Sequence, residues 1–576
     1  MRKNLIVVLI LLLVVALVSA QTPPGSSPDA QIAAAGAKIG AGDFAGATPI
    51  LEKVVAADPG NKLAWRQLGF AYLKQKKIPE SRAAYEKLLA LSPVSAPAPQ
   101  ALYNIGVGYA LEGKPDAAFE WLGKAKATGK LDMTQIQVDE DLKALSQDPR
   151  FAALLPKPQD FANPFVEAEH VAVLREWPGE GPGDQFGWIA RSLGDVDGDG
   201  VEDFVTSAPT WAPASNKLAG KDAGRVYVYS TKTGKLLWKV DGAAAEELGT
   251  GVELAGDTNN DGVPDVVAGA PGAGKSYVYS GKDGHVLQTL TAENKSDTFG
   301  RHVTFAGDVD HDGYDDVLVG APTNAAGGKD AGRAYLYSGK DGKKLATWTG
   351  EREGDAFGST LAGYTSGKTT FIMIGAPAAG PHKTGRVYVY DGPGAKPRFV
   401  LESDATGAAL GYMFMSIPGD LDGDGVVDLY ATDFGNRAKG PSTGRAYAAS
   451  GKTGARLLTL TGETQGEAFG IGPSTAGDVD GDGRPDLIIG AWQYAGAAVS
   501  GGRAYLYSGK DGKLLKTYTC RIPGDTFGFD AVGMGDTDRD GTLDFLITSA
   551  WSGIKGNHSG RVLLISSGVQ KNKKTP

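Results

Sequence analysis

Two textures of apolar and polar positions divide the chain. Between about residues 30 and 155, apolar side chains recur at three- and four-residue intervals, the spacing of one face of an α-helix. Trp65, Leu68 and Tyr72 fall at i, i+3 and i+7. From about residue 170 the period shortens to two, as in Val226-Tyr-Val-Tyr229 and Ala334-Tyr-Leu-Tyr337, which predicts short strands. A third texture comes first: Arg2 and Lys3, an unbroken apolar run from Leu5 to Leu17, then Val18-Ser19-Ala20. That order predicts an export signal over 1–20, with 21–29 as a linker. The run is short for a membrane span, an uncleaved anchor being the alternative. The chain is therefore expected to be secreted or extracytoplasmic, in a periplasm or at a cell surface.

Within the helical part, 30–155, a unit of about 34 residues recurs. Its best copy, 62–95, carries Trp65, Leu68, Gly69, Tyr72, Ala84, Tyr85 and Pro93. A second copy has Leu102, Ile105, Gly106, Tyr109, Gly113, Ala118, Leu122 and Ala125, and a degraded one Gly42, Phe44, Ala47, Leu51 and Pro59. These residues resemble the tetratricopeptide repeat, in which a small residue lets paired helices approach and large ones fill the groove. A plain helical bundle is the alternative. Asp141 to Leu155 reads as a cap broken at Asp148-Pro149, and the proline-rich stretch 156–169 reads as a linker.

The strand-rich part, 170–567, repeats on a longer period. Phe186-Gly187, Leu248-Gly249, Phe299-Gly300, Phe357-Gly358, Leu410-Gly411, Phe469-Gly470 and Phe527-Gly528 open seven units. Each unit continues with an acidic loop, an apolar run often ending in Gly-Ala-Pro, a Gly-Arg strand, a turn such as Lys340-Asp341-Gly342, and one more strand. Four strands repeated seven times predict an all-β seven-bladed propeller behind the all-α repeats. A solenoid would need caps at open ends. The seventh unit lacks a fourth strand of its own before the tail, 568–576, while Val171–Trp177 precedes the first unit as a stray one. The expectation is that 171–177 closes the last blade.

Six units carry Asp-x-Asp/Asn-x-Asp-Gly-x-x-Asp. Positions 1, 3, 5, 7 and 9 are Asp195, Asp197, Asp199, Val201 and Asp203; Asp257, Asn259, Asp261, Val263 and Asp265; and Asp308, Asp310, Asp312, Tyr314 and Asp316. The later three sets are Asp420, Asp422, Asp424, Val426 and Asp428; Asp478, Asp480, Asp482, Arg484 and Asp486; and Asp536, Asp538, Asp540, Thr542 and Asp544. Carboxylates at 1, 3 and 5 of a tight loop converge on one point, the glycine at 6 permits the turn, and the carbonyl at 7 and carboxylate at 9 can join them. An all-oxygen, flexible donor set suits Ca2+, giving about six sites. The EF-hand glutamate at position 12 is absent, and the loop runs into a strand. Unit four has Gly363 to Lys368 in place of the loop and is expected to bind no ion.

Composition narrows the functions. Glycine, 83 of 576 residues, fits many tight turns. A formal charge of −9 argues against nucleic acid, and six divalent ions would carry it to +3. Cys520, the single cysteine, excludes intrachain disulfides and cysteine-rich metal sites. The six histidines show no zinc-hydrolase spacing, and no Gly-x-Ser-x-Gly elbow is present.

The Phe-Gly openings, Gly-Ala-Pro strand ends and acidic loops together resemble the FG-GAP repeats of the integrin α-subunit β-propeller. The resemblance implies calcium in hairpin loops on one face and partners docking on the other. Six loops exceed the three or four usual in that family, and the integrin leg domains and membrane span are missing. The expected function is a non-enzymatic, calcium-binding adhesion or interaction protein. Its propeller would meet a protein or glycan ligand, and its helical repeats a second protein. The loops Trp211–Lys221, Pro322–Ala331 and Trp492–Ser500 are candidate contacts. A quinoprotein-like or hydrolase-associated propeller enzyme, suggested by segments such as Thr233–Trp238, is the alternative, as is an envelope assembly scaffold.

Overall fold

The computed structural model describes residues 27–93, 98–213, 221–394 and 396–571. The expected export signal lies outside them. The chain divides into two compact units at Asp160/Phe161.

The first unit is helical. Six α-helices, α1 (Pro28–Gly40), α2 (Phe44–Ala57), α3 (Lys62–Lys74), α4 (Ile78–Ala90), α5 (Pro99–Leu111) and α6 (Pro115–Ala127), form three consecutive pairs. Their starts are written locally: Asp43 and Asn61 accept backbone N–H bonds from Gly46 and Ala64. Proline stands in the first turn of α1, α4, α5 and α6, where no helical N–H bond is lost. The small repeat position is a close approach between paired helices. A Cβ on Gly69 would meet the Tyr85 ring at 2.9 Å, and one on Gly106 would meet Leu122 at the same distance. After α6, the segment read as a cap is a 3-10 turn (Glu140–Leu145) and a short helix, α7 (Pro149–Leu154). Leu142, Leu145, Phe151 and Leu154 bury on the Phe119–Leu122 side of the last pair.

The second unit is a ring of seven four-stranded antiparallel sheets. Blade 1 is built of Ala190–Gly194, Asp203–Ala208, Arg225–Tyr229 and Leu236–Asp241 from the centre outward, and blades 2 to 6 repeat the order. The opening phenylalanines of units 1, 4 and 6 pack edge-on against a tyrosine of the third strand, Phe186 on Tyr227, Phe357 on Tyr388 and Phe469 on Tyr505. The glycine partner has a different task. The glycine of Gly-Ala-Pro in one blade faces the opening glycine of the next so closely that a Cβ on Gly269, Gly320 or Gly375 would collide with the carbonyl of Gly300, Gly358 or Gly411. Blades therefore meet backbone to backbone, which is why both motifs need glycine.

The seventh sheet contains Ala531–Gly533, Asp544–Ser549, Arg561–Ser566 and, as its outer strand, Val173–Pro178. The last two run antiparallel, with Val173 opposite Ile565 and Pro178 opposite Arg561. Trp177 is buried against Phe204, and its indole N–H donates to the Gly234 carbonyl at 3.1 Å. Trp348 makes the equivalent bond to Gly394.

Part of the stretch read as a linker is bound to the propeller. Phe161 and Phe165 are buried in the core of blades 6 and 7, Phe165 lying edge-on to Phe527. Val166 donates to the Thr519 carbonyl and Arg521 to that of Pro164, while Glu169 accepts from the Thr517 and Thr519 hydroxyls. Two phenylalanines four residues apart among prolines give no helical or strand period, so the sequence pattern does not reveal this strap.

Candidate metal centres

Each acidic loop joins the first strand of a blade to the second, at the end away from the Phe-Gly and Gly-Ala-Pro motifs. Loop 1 shows how the sequence bends it. Asp195 accepts from the Asp199 and Gly200 N–H groups at 2.9 and 2.8 Å, Asp197 from Asp199 at 3.1 Å, and Asp199 from Val201 at 3.1 Å. Loops 2, 3 and 7 repeat these bonds. In loops 5 and 6 the first aspartate takes its bonds from the two glycines at positions 4 and 6. Two residues per loop are left-handed. Glycine always serves at position 6; position 4 has Gly198, Asn260, His311, Gly423, Gly481 and Arg539, all at positive φ. This second requirement was hidden in the sequence because only half the loops meet it with glycine.

Carboxylate oxygens lie within 4.8 Å of one another for Asp195, Asp197 and Asp199, and for Asp536, Asp538 and Asp540. The same holds for Asp308, Asp310 and Asp316, for Asp420, Asp422 and Asp428, and for Asp478, Asp480 and Asp486. Positions 1 and 3 thus converge in all five loops, joined by 5 in two and by 9 in three. Loop 2, with Asn259 at position 3, forms no such carboxylate triplet. Val201, Val263, Tyr314, Val426, Arg484 and Thr542, proposed for their carbonyls, donate their own N–H groups to the position-5 carboxylate. Blade 4 has no acidic loop: its hairpin pairs Ser366 with Thr369 around a two-residue turn.

The position-9 aspartates have a further, structural employment. All six are fully buried. One oxygen of Asp203 accepts from Val196 and Asp197, and the other from Thr231 in the turn between the third and fourth strands. Gly281, Gly339, Gly451 and Gly509 play the Thr231 part for Asp265, Asp316, Asp428 and Asp486. Burial pushes Asp316 up to about 7 and Asp203, Asp265, Asp486 and Asp544 up to about 6, against the backbone bonds that favour the charged form. Asp538 and Asp540 add repulsion on Asp544.

These donor sets fit a hard divalent cation. The donors are oxygens, and three carboxylates converge in five of the six loops.

The comparisons agree with this architecture. The family signature FG-GAP repeat matches residues 186–229, 249–284 and 299–337, and an FG-GAP-like repeat matches 478–547. The propeller carries FG-GAP repeats. A tetratricopeptide repeat matches 38–104, across α1 to α5. The chain is 28% identical over 397 residues to human phosphatidylinositol-glycan-specific phospholipase D, covering 57% of this chain and 46% of that one. It is 34% identical over 156 residues to chicken integrin alpha-6, covering 25% and 14%. With Xenopus laevis integrin alpha-5 it shares 32% over 202 residues, covering 31% and 19%. The chain thus spans less than half the length of each. The FG-GAP β-propeller with N-terminal helical repeats is integrin alpha-like in its blades.

Proposed function

We propose that this chain is a calcium-stabilised interaction protein that works outside the cytoplasm. Its propeller presents the Gly-Ala-Pro face to a protein or glycan, and its helical repeats hold a second protein. The observation that carries this reading is repetition: one carboxylate loop, with left-handed residues at positions 4 and 6, recurs at the same end of six blades. A reaction centre is built once, whereas a stabilising ion can serve every blade. Bound calcium would neutralise the converging carboxylates of Asp195, Asp197 and Asp199 and their equivalents. Asp203 and its equivalents would pin each loop to the turn of its blade. At tenfold excess over its Kd, an ion adds about 1.4 kcal/mol per site, which could stand in for the missing disulfides.

On the opposite face, Trp188, Trp492, Phe529 and Trp551 form one aromatic group, with Trp492 and Trp551 ring centres 4.4 Å apart. The indole N–H groups of Trp492 and Trp551 have no partner. The contact loop expected at 211–221 lies mostly outside the described residues.

The similarity to a phospholipase D favours a second reading, a propeller serving lipid-anchor hydrolysis. The test is a binding screen of the full chain on protein and glycan arrays, with calcium and with chelator, beside an assay for cleavage of a glycosylphosphatidylinositol anchor. Calcium-dependent binding without cleavage supports the interaction reading. Cleavage abolished by no loop substitution but present in the purified chain overturns it.

A further inference from the structure

Four of the six loops have a lysine of their own blade beside the position-5 carboxylate. Lys232 stands 4.0 Å from Asp199, Lys340 3.6 Å from Asp312, Lys452 3.6 Å from Asp424, and Lys510 3.8 Å from Asp482. Each follows the turn residue whose N–H holds the position-9 aspartate, so anchor and ammonium arrive on one piece of chain. Blade 4, which has no acidic loop, reads Tyr390-Asp-Gly-Pro-Gly394 at this turn, without a lysine. In blade 2, Lys282 occupies the register but makes no ion pair with Asp261, and its loop has one carboxylate fewer.

Loops 5 and 7 are the extremes. Loop 5 has Lys452 on Asp424 and, in addition, Arg484 reaching from the loop of blade 6 to Asp420 at 3.6 Å. That guanidinium lies directly against Gly423 inside the loop. Loop 7 has neither kind of partner. Its blade takes its fourth strand from Val173–Pro178, so the lysine-bearing turn is missing and Ser566-Ser567-Gly568 stands at that register. Among the described residues no basic side chain pairs with Asp536, Asp538 or Asp540. Asp544 keeps one buried oxygen without a hydrogen bond, the oxygen that elsewhere accepts the turn N–H.

We propose that the turn lysines and Arg484 are tethered counter-cations that grade the loops, so that loop 7 takes up a divalent ion most tightly and loop 5 least. This rests on the reading of the loops as ion sites. An ion entering loops 1, 3, 5 or 6 meets a positive charge already in place and must push it into solvent. The lysines are about half exposed and free to swing, so each costs up to about fivefold in affinity. Arg484, less exposed, adds a second factor of about that size on loop 5. The order follows from how the ring closes: the blade assembled from both ends of the propeller lacks the lysine-bearing turn, and Arg539, at position 4 of its loop, lies against Gly200 of loop 1 instead of pairing with its own carboxylates.

The test is calorimetric titration of the chelator-stripped full chain with calcium chloride alone, its folding followed by circular dichroism. The expected result is that Asp538→Asn deletes the tightest ion and Asp422→Asn the weakest. Arg484→Gln should tighten the weakest class about fivefold, and Lys340→Gln should do the same for one ion. If Asp538→Asn fails to fold, the two surface cation variants carry the test. Binding by the wild type with isotherms unchanged in Arg484→Gln and Lys340→Gln overturns the grading alone. No calcium uptake by the wild type overturns the ion-site reading as well.

Discussion

Arg561 donates to Glu176 at 2.8 Å across 385 residues of sequence, joining the third strand of the last blade to the strand that closes the ring. The same guanidinium donates to Asp525 at 2.7 Å, and both Arg561 and Asp525 are fully buried. The arrangement repeats around the ring. The arginine of each Gly-Arg strand meets an acid that precedes the blade or lies on its outer strand, as Arg333 meets Glu293 and Arg503 meets Glu463. Only at the seam does the pair have to span the two ends of the propeller.

Removing the buried partner should therefore be costly. Arg561→Met takes away the guanidinium that pairs with buried Asp525, and is expected to destabilise by about 3–5 kcal/mol. Glu176→Gln, on the exposed side, should cost about 1 kcal/mol or less. Denaturant midpoints of the two variants check the contrast; equal effects would contradict it.

The glycine contacts between blades predict a second contrast. Gly320→Ala places a Cβ against the Gly358 carbonyl and should destabilise by about 1–3 kcal/mol. Gly123→Ala, in α6 where a Cβ meets nothing within 4 Å, should stabilise by about 0.5–1 kcal/mol. Thermal melts of both variants decide the sign.

Stability should depend on pH with opposite signs in chelator and in calcium. Without a cation the folded state holds protons on Asp203, Asp265, Asp316, Asp486 and Asp544 up to pH 6–7, while the unfolded chain releases them near 3.8. These groups add stability as pH falls from 7 toward 4. Buried His302 and His558, lowered to about 3 and about 4, act the other way, losing stability as pH falls below 6.5. Five carboxylates against two imidazoles give a net gain on acidification in chelator. With calcium bound, protons compete with the ion and the melting temperature should drop. Melts between pH 7 and 5 in both conditions check this.

Much of this architecture was legible in the sequence because repetition amplified weak signals. The Phe-Gly period set the seven blades, and the 1-3-5-9 spacing located the loops. Less legible was what depends on neighbours distant in sequence. Asp203 reads as a ligand like Asp195, yet Thr231 claims one of its oxygens from 28 residues away. Arg484 reads as a spare carbonyl donor, yet its guanidinium lies over the loop of the preceding blade. The strap around Phe161 and Phe165 has no period, so only its packing shows that it belongs to the propeller.

The most direct measurement is the number of calcium ions held by the purified chain, counted by native mass spectrometry and paired with melts before and after chelation. Six ions and a melting temperature that drops by several degrees on their removal are the predicted results. A chain that carries no calcium and melts identically in chelator would contradict the account.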